Sequence, residues 1–178
     1  MAEEQLILVN ENNRATGAGG KTPVHRAGVL HRAFSIFIVD GAGRILLQRR
    51  AEGKYHSGGL LANSCCGHPR PGETTGNAAA RRLPEEMGFS CELREAFQMV
   101  YRTDLDNALV EHELDRVFVG RFNGVPKPNP QEVDATMWVA PEELRSRMGA
   151  EPKRYTPWLR LLLGDAGWAA VEDILAQG

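Results

Sequence analysis

Disulfide-forming capacity is nearly absent from this sequence. Three cysteines stand among 178 residues, an odd number, and two of them, Cys65 and Cys66, are adjacent. Such a set does not make the paired framework of a small secreted domain, and a reducing, cytoplasmic setting is the expectation. It also leaves room for a thiol with a chemical role. Long apolar runs are missing as well: no stretch approaches the roughly 20 residues of a membrane span. The acidic start Met1-Ala2-Glu3-Glu4 lacks the basic and apolar segments of a secretory leader. Nor is there an excess of charge of either sign. The balance of 21 Lys and Arg against 23 Asp and Glu leaves −2, so bulk electrostatics point to neither nucleic acid nor an anionic membrane. A local cluster of cations is still compatible with that balance, and a small anion is the ligand it would suit. Repeats and low-complexity tracts are absent too.

What is present is the composition of a globular enzyme-sized domain, 42% hydrophobic and 25% charged, and one domain spanning 1–178 is expected. Gln5–Val9 reads as a short strand, stopped by an Asn-rich turn and the glycines at 17–20. Thr22-Pro23 suits a short helical turn with Thr as the cap. His31–Val39 and 44–49 read as strands around the turn Asp40-Gly41-Ala42-Gly43. The stretch 50–63 reads as a loop. A helix is bracketed by 72–88, with Pro84 expected to kink or tighten its last turn. Strands follow at 97–102, 109–122 and 135–139, a proline-rich loop at 125–130, then helices at 141–148 and, interrupted by glycines, 156–176. Hairpins without a regular βα alternation imply an α+β, or mixed α/β, class.

The most specific stretch is Gly67-His68-Pro69-Arg70-Pro71-Gly72-Glu73, then seven residues, then Arg81-Arg82-Leu83-Pro84-Glu85-Glu86-Met87-Gly88-Phe89. It resembles the Nudix signature, in which a loop and one helix face present carboxylates to a divalent cation bridging diphosphate oxygens. The plainer reading is a charge-paired helix face, with Arg81–Glu85 and Arg82–Glu86 partners at i, i+4. One position departs from the signature: Arg82 stands where the pattern has Glu. In the hydrolases of that superfamily the missing Glu belongs to the water-activating metal cluster. An arginine fork cannot ligate a cation but suits a diphosphate oxygen. The box therefore implies a Nudix-like fold, mixed and antiparallel sheet packed against helices, with the diphosphate site kept and hydrolysis lost.

Further segments narrow the resemblance. Lys21-Thr22-Pro23-Val24-His25, Leu30-His31, Arg50 through Lys54, Asn63-Ser64-Cys65-Cys66-Gly67-His68, Tyr101-Arg102, Val110-Glu111-His112-Glu113 and Thr156-Pro157-Trp158 occur in order along the chain. Together they are similar to the type 1 isopentenyl-diphosphate isomerases. That resemblance implies a metal site of His25, His31, His68, Glu111 and Glu113. Residues two apart on a strand share a face, so Glu111 and Glu113 would project together while His112 points away. Mixed imidazole and carboxylate ligands suit Mn²⁺ or Zn²⁺, and Mg²⁺ less naturally. The resemblance also implies Cys66, Glu113 and Tyr101 as catalytic residues. Lys21, Arg50, Lys54 and Arg82 would hold the diphosphate, and Glu86 with the Cys66 carbonyl would hold a second cation, Mg²⁺. Trp158 would offer its aromatic face to a carbocation. Leu61 stands where the resemblance implies a tryptophan near the pocket, removing one aromatic wall. Cys65, Cys91 and His56 carry the ordinary expectation of packing or surface residues.

The reaction so implied interconverts isopentenyl and dimethylallyl diphosphate by a 1,3 proton shift, adding a proton to one carbon and removing another elsewhere. The expected partner is a small isoprenoid diphosphate, with no nucleic acid and no membrane span, and the chain is expected as a monomer or homodimer. Two alternatives stand beside this: a Nudix diphosphate hydrolase, which leaves Cys66 and the Glu111/Glu113 pair without a task, and a non-catalytic diphosphate-binding module.

Overall fold

A computed structural model describes residues 3–176. Its frame is the strand β3 (His31–Val39), whose nine residues are nearly all buried. Residues of opposite parity face opposite sides of a strand, and both sides of β3 are apolar. Phe34, Ile36 and Ile38 pack with Ala78, Ala79, Leu83 and Met87 of the helix α2 (Thr75–Met87). Phe37 and Val39 pack the other way, with Trp158, Leu159 and Leu162 of α4 (Pro157–Leu162) and Trp168 of α5 (Asp165–Ala176). Helices thus cover both faces of the sheet.

The strand β8 (Val110–Arg121) runs parallel to β3 over its whole length, placing His31 opposite Glu113. The other strand pairs among the described residues are antiparallel. The long β7 (Leu93–Asp104) lies on β8 with Tyr101 opposite Glu113. The three-residue β6 (Cys65–Gly67) lies on β3 with Cys66 opposite Ser35. Three strand pairings therefore bring Tyr101, Glu113, His31 and Cys66 into one neighbourhood. Three further strands, β4 (Ile45–Arg50), β5 (Leu61–Ala62) and β9 (Val133–Val139), extend the sheet on one side of β3. The α+β class expected from the sequence is the one observed.

Several local expectations are corrected. The glycines at 17–20 are not a stop but part of a strand, β2 (Ala15–Gly20), because the backbone of β1 (Gln5–Val9) pairs with it and side chains are not required. The helix α1 (Lys21–Ala27) begins after Gly20, not at Thr22. Its first free N–H groups are satisfied from outside: the Lys21 amide donates to the Glu4 carbonyl at 2.9 Å and the Thr22 amide to Glu3 Oε1 at 2.8 Å. The expected loop at 50–63 contains β5, and β7 begins at Leu93, before the expected 97. Leu61 packs in the core cluster that holds Tyr155 and Trp158 and does not itself line the cleft described below.

Helix α2 starts at Thr74, whose hydroxyl accepts from the Asn77 amide at 3.2 Å. It runs through Pro84 to Met87. Pro84 lies in the last turn, where its missing donor forfeits a single helical bond, and its own carbonyl still accepts from the Gly88 amide at 3.1 Å. Gly88 ends the helix at φ 74°, and a Cβ there would stand 2.1 Å from the Lys127 carbonyl oxygen. Gly88→Ala is accordingly expected to cost more than about 2 kcal/mol, from left-handed strain plus the overlap. At this chain size that lowers Tm by roughly 5 °C. Thermal denaturation checks it; a variant melting within about 1 °C of the parent would show that the 125–130 segment yields freely. No helix among the described residues is long and apolar enough to cross a membrane.

Candidate active site

Five residues foreseen as metal ligands converge. One donor atom each from His25, His31, His68, Glu111 and Glu113 lies within 4.8 Å of the others, and all five side chains are buried. They come from α1, the start of β3, the residue after β6, and two same-face positions of β8. His112 points away, its Nδ1 at 2.9 Å from the Gly28 carbonyl.

The tautomers are set by the backbone. His25 Nδ1 lies 2.9 Å from the Lys21 carbonyl and His31 Nδ1 lies 2.9 Å from the Val29 carbonyl. A carbonyl can only accept, so each Nδ1 carries hydrogen and each Nε2 turns inward toward the carboxylates. His25 Nε2 stands 3.1 Å from Glu111 Oε2. His31 Nε2 is buried with no hydrogen-bond partner among the described residues, 3.5 Å from Glu113 Oε1. His68 Nε2 is 3.1 Å from the same oxygen.

Charge is arranged to match. Burial opposes ionisation of Glu111, but hydrogen bonds from His25 and His56 outweigh it and hold the carboxyl well below its usual range. Burial and the Glu111 charge oppose ionisation of Glu113, and His31 and His68 still keep it low. Burial disfavours the His68 imidazolium, yet Glu113 and Glu4 push its pKa up to about 9. Two buried carboxylates beside three imidazoles, one with an Nε2 that no hydrogen bond satisfies, are a donor set that fits a divalent cation.

A cleft of about 710 Å³ opens beside this cluster, lined by Cys66, His68, Tyr101, Glu111 and Glu113. Tyr101 donates its hydroxyl hydrogen to Glu113 Oε2 at 2.5 Å. Burial, reinforced by the Glu113, Glu111 and Asp115 charges, raises the phenol well above its usual pKa. Burial pushes the Cys66 thiol up to about 12; the Arg50 charge works against this, while Glu86 and Glu113 add to it. Cys66 is therefore a protonated thiol in this state. Cys65 is fully buried in the core and Cys91 packs against it at its edge, as expected.

The same cleft is lined by Lys21, Arg50, Lys54 and Arg82, and by Glu86. These cations are not bare. Lys21 Nζ pairs with Glu4 Oε2 at 2.8 Å, and Glu132 bridges Lys54 and Arg82. The buried Glu86 carboxylate faces Arg82, with Gln48 Nε2 at 3.5 Å. Both i, i+4 helix pairs are formed, Arg81 to Glu85 and Arg82 to Glu86. Arg81 also clamps Glu73 with two bonds of 2.8 and 2.9 Å, fastening the box loop to its helix. Trp158 lies in the cleft wall, Nε1 bonded to Asn63 Oδ1 at 3.2 Å and its ring 5.1 Å from the Arg50 guanidinium.

Four residues here escaped the sequence reading. His56, expected as an ordinary packing or surface residue, is buried with Nε2 at 3.2 Å from Glu111 Oε1. Asp115 is fully buried, accepting from Ser35 Oγ at 2.8 Å, and burial together with the Glu113 charge raises its carboxyl well above the usual range. Strand parity would have found it, since it continues the series Glu111, Glu113 on one face. Glu4 and Glu132 carry no sequence signal, for their role depends on distant loops.

Residues 29–159 match the family model described as the NUDIX domain. Among solved structures, a protein from Deinococcus radiodurans superposes with a TM-score of 0.74 at 22% identity, covering 95% of this chain and 98% of its own. A MutT NUDIX hydrolase from Burkholderia pseudomallei gives 0.60 at 23% identity over 82% and 98%. Those likenesses concern the fold, and the fold is that of a Nudix protein. Sequence carries the assignment further. This chain is 51% identical over 161 residues to isopentenyl-diphosphate Delta-isomerase 2 of Aromatoleum aromaticum, covering 90% of this chain and 85% of the relative. It is 50% identical to the isopentenyl-diphosphate Delta-isomerase of Burkholderia multivorans, covering 93% and 94%. The chain belongs to the isopentenyl-diphosphate Delta-isomerase family.

Proposed function

We propose that this chain interconverts isopentenyl diphosphate and dimethylallyl diphosphate by a 1,3 proton shift, with Cys66 and the Tyr101–Glu113 pair moving the protons. The observation that carries this is their presence on one cleft with the cations Lys21, Arg50, Lys54 and Arg82. The diphosphate would lie against those cations, taking the place of Glu4 and Glu132 as their counter-charge. His25, His31, His68, Glu111 and Glu113 would hold a Mn²⁺, Zn²⁺ or Mg²⁺ ion, and Glu86 with the Cys66 carbonyl a diphosphate-bridging Mg²⁺. A bound ion supplies positive charge that makes neighbouring acids stronger and neutralises phosphate oxygens.

The chain's own groups do the proton work. Tyr101 keeps a proton at Glu113 Oε2, and the Cys66 thiol holds one on its sulfur. One group protonates the terminal carbon of the double bond, the tertiary cation forms at C3, and a proton leaves C2 for the other, which enters the step deprotonated; proton exchange with solvent then returns both groups to their starting states. Atoms balance without any co-reactant. Water must be kept from the cation, and a walled cleft favours that. The Trp158 ring adds a cation–π contact of about 2 kcal/mol, an assisting share of the roughly 8–23 kcal/mol that enzymes remove from a barrier.

The test is incubation with isopentenyl diphosphate, Mg²⁺ and Mn²⁺ in D₂O, followed by proton and phosphorus NMR beside Cys66→Ala. New gem-dimethyl signals with deuterium incorporation, lost in the variant, are expected. Release of free phosphate without them would replace the isomerase by a hydrolase, and unchanged spectra with metal bound would leave a binding module.

A further inference from the structure

We infer that His56 is a positioning residue for Glu111, holding one carboxylate oxygen so that the other is presented to the His/Glu cluster. The two oxygens are divided between two sets of partners. Oε2 faces inward, 3.1 Å from His25 Nε2 and 3.9 Å from His31 Nε2. Oε1 faces His56 Nε2 at 3.2 Å. His56 itself stands outside the five donors that lie within 4.8 Å of one another.

Its ring is oriented for this. Nδ1 lies 3.3 Å from Ser57 Oγ, and a neutral imidazole that accepts there from the hydroxyl donates from Nε2. The ring meets Trp158 edge-on, centroids 5.6 Å apart at 88°. The loop beneath is tied down on both sides. Ser57 adopts φ 53°, with its amide 3.3 Å from each Asp106 oxygen. Arg50 Nη2 donates to the His56 carbonyl at 3.0 Å, and the Gly59 amide donates to the Arg50 carbonyl at 3.0 Å. One residue thus joins an arginine assigned to the diphosphate with a carboxylate assigned to the metal. A carboxylate held through one oxygen loses rotational freedom before any ion arrives, and such outer partners typically contribute about 10–100-fold in metal affinity.

The inference rests on the reading that the cluster binds a divalent cation, and the experiment separates the two. Mn²⁺ alone, without substrate, is titrated into the metal-free parent, His56→Ala and His56→Gln. The amide of glutamine returns a donor near the position of Nε2. His56→Ala is expected to weaken Mn²⁺ binding about 10–100-fold, and His56→Gln to recover to within about threefold of the parent. Electron spin-echo measurements on bound Mn²⁺ should count three imidazole nitrogens in all three proteins. Unchanged affinity in His56→Ala would overturn the inference while leaving the metal site standing. Loss of one imidazole from the count would make His56 a ligand and overturn it too. A parent that binds no Mn²⁺ would remove the cluster reading and this inference together.

Discussion

A Glu113→Gln variant is expected to fold, to melt close to the parent in the absence of metal, and to lose at least about 10³-fold in turnover of isopentenyl diphosphate. The size of the loss follows from how much converges on this carboxylate. Oε2 takes the Tyr101 hydroxyl hydrogen and Oε1 faces both His68 and His31. An amide keeps an acceptor for Tyr101, but it gives up the negative charge that any proton transfer through this pair requires. The folded state is less sensitive because charges there partly cancel. Glu113 loses favourable contacts with His68, while the repulsion from Glu111 and the cost of burying a second carboxylate also disappear. A Tm within about 3 °C of the metal-free parent is the expected balance. Tyr101→Phe removes the other end of the same bond, so the double variant should be little worse than Glu113→Gln alone. Additive losses would show that the two side chains serve separate steps. Turnover within tenfold of the parent would displace Glu113 from the chemistry.

The site was legible from the sequence to the extent that its residues sit in local patterns. Glu111 and Glu113 share a strand face, Cys66 and His68 flank one glycine, and Arg82 and Glu86 are one helical turn apart. Each pattern survives translation into coordinates because strand and helix periods fix side-chain direction. What the sequence could not supply was the register that joins these patterns. His31 stands opposite Glu113 because β3 and β8 align in parallel across 82 positions, and nothing local encodes that alignment. His56 was missed for the same reason: it lies in a loop with no period, and its partner is far along the chain.

Errors in the fold have a common physical origin. The Gly-rich β2 and the two- and three-residue strands β5 and β6 are held by backbone pairing with neighbours, so side-chain propensity says little about them. Pro84 is accommodated for a different reason. A proline costs a helix most in its interior, and within the last turn a Gly88 cap leaves little ladder to disrupt. Where an element has its own apolar run or its own end signals, as in β3 and α2, sequence and structure agree.

Arg82→Ala is expected to lower both stability and affinity for the diphosphate, and Mg²⁺ is expected to restore part of the first. The guanidinium bonds to Glu86 Oε1, to Glu85 Oε2 at 2.8 Å and to Glu132 Oε1 at 3.2 Å. Glu86 is only 4% exposed, so removing Arg82 leaves a buried carboxylate with weaker contacts such as Gln48 Nε2 at 3.5 Å. Breaking a fully buried pair costs about 3–5 kcal/mol. The Arg82 side chain is 23% exposed, and partial screening reduces the figure to roughly 2–3 kcal/mol. Tm should fall by about 6–10 °C at this chain size. The same change deletes a charged contact to the substrate, raising KM on the order of 10–100-fold. If Glu86 also serves the diphosphate-bridging cation, millimolar Mg²⁺ supplies the missing positive charge and stabilises Arg82→Ala more than the parent. Arg82→Lys, with charge but no fork, should fall between the two. A melting loss untouched by Mg²⁺, with KM unchanged, would confine Arg82 to the helix surface and detach the altered box position from substrate recognition.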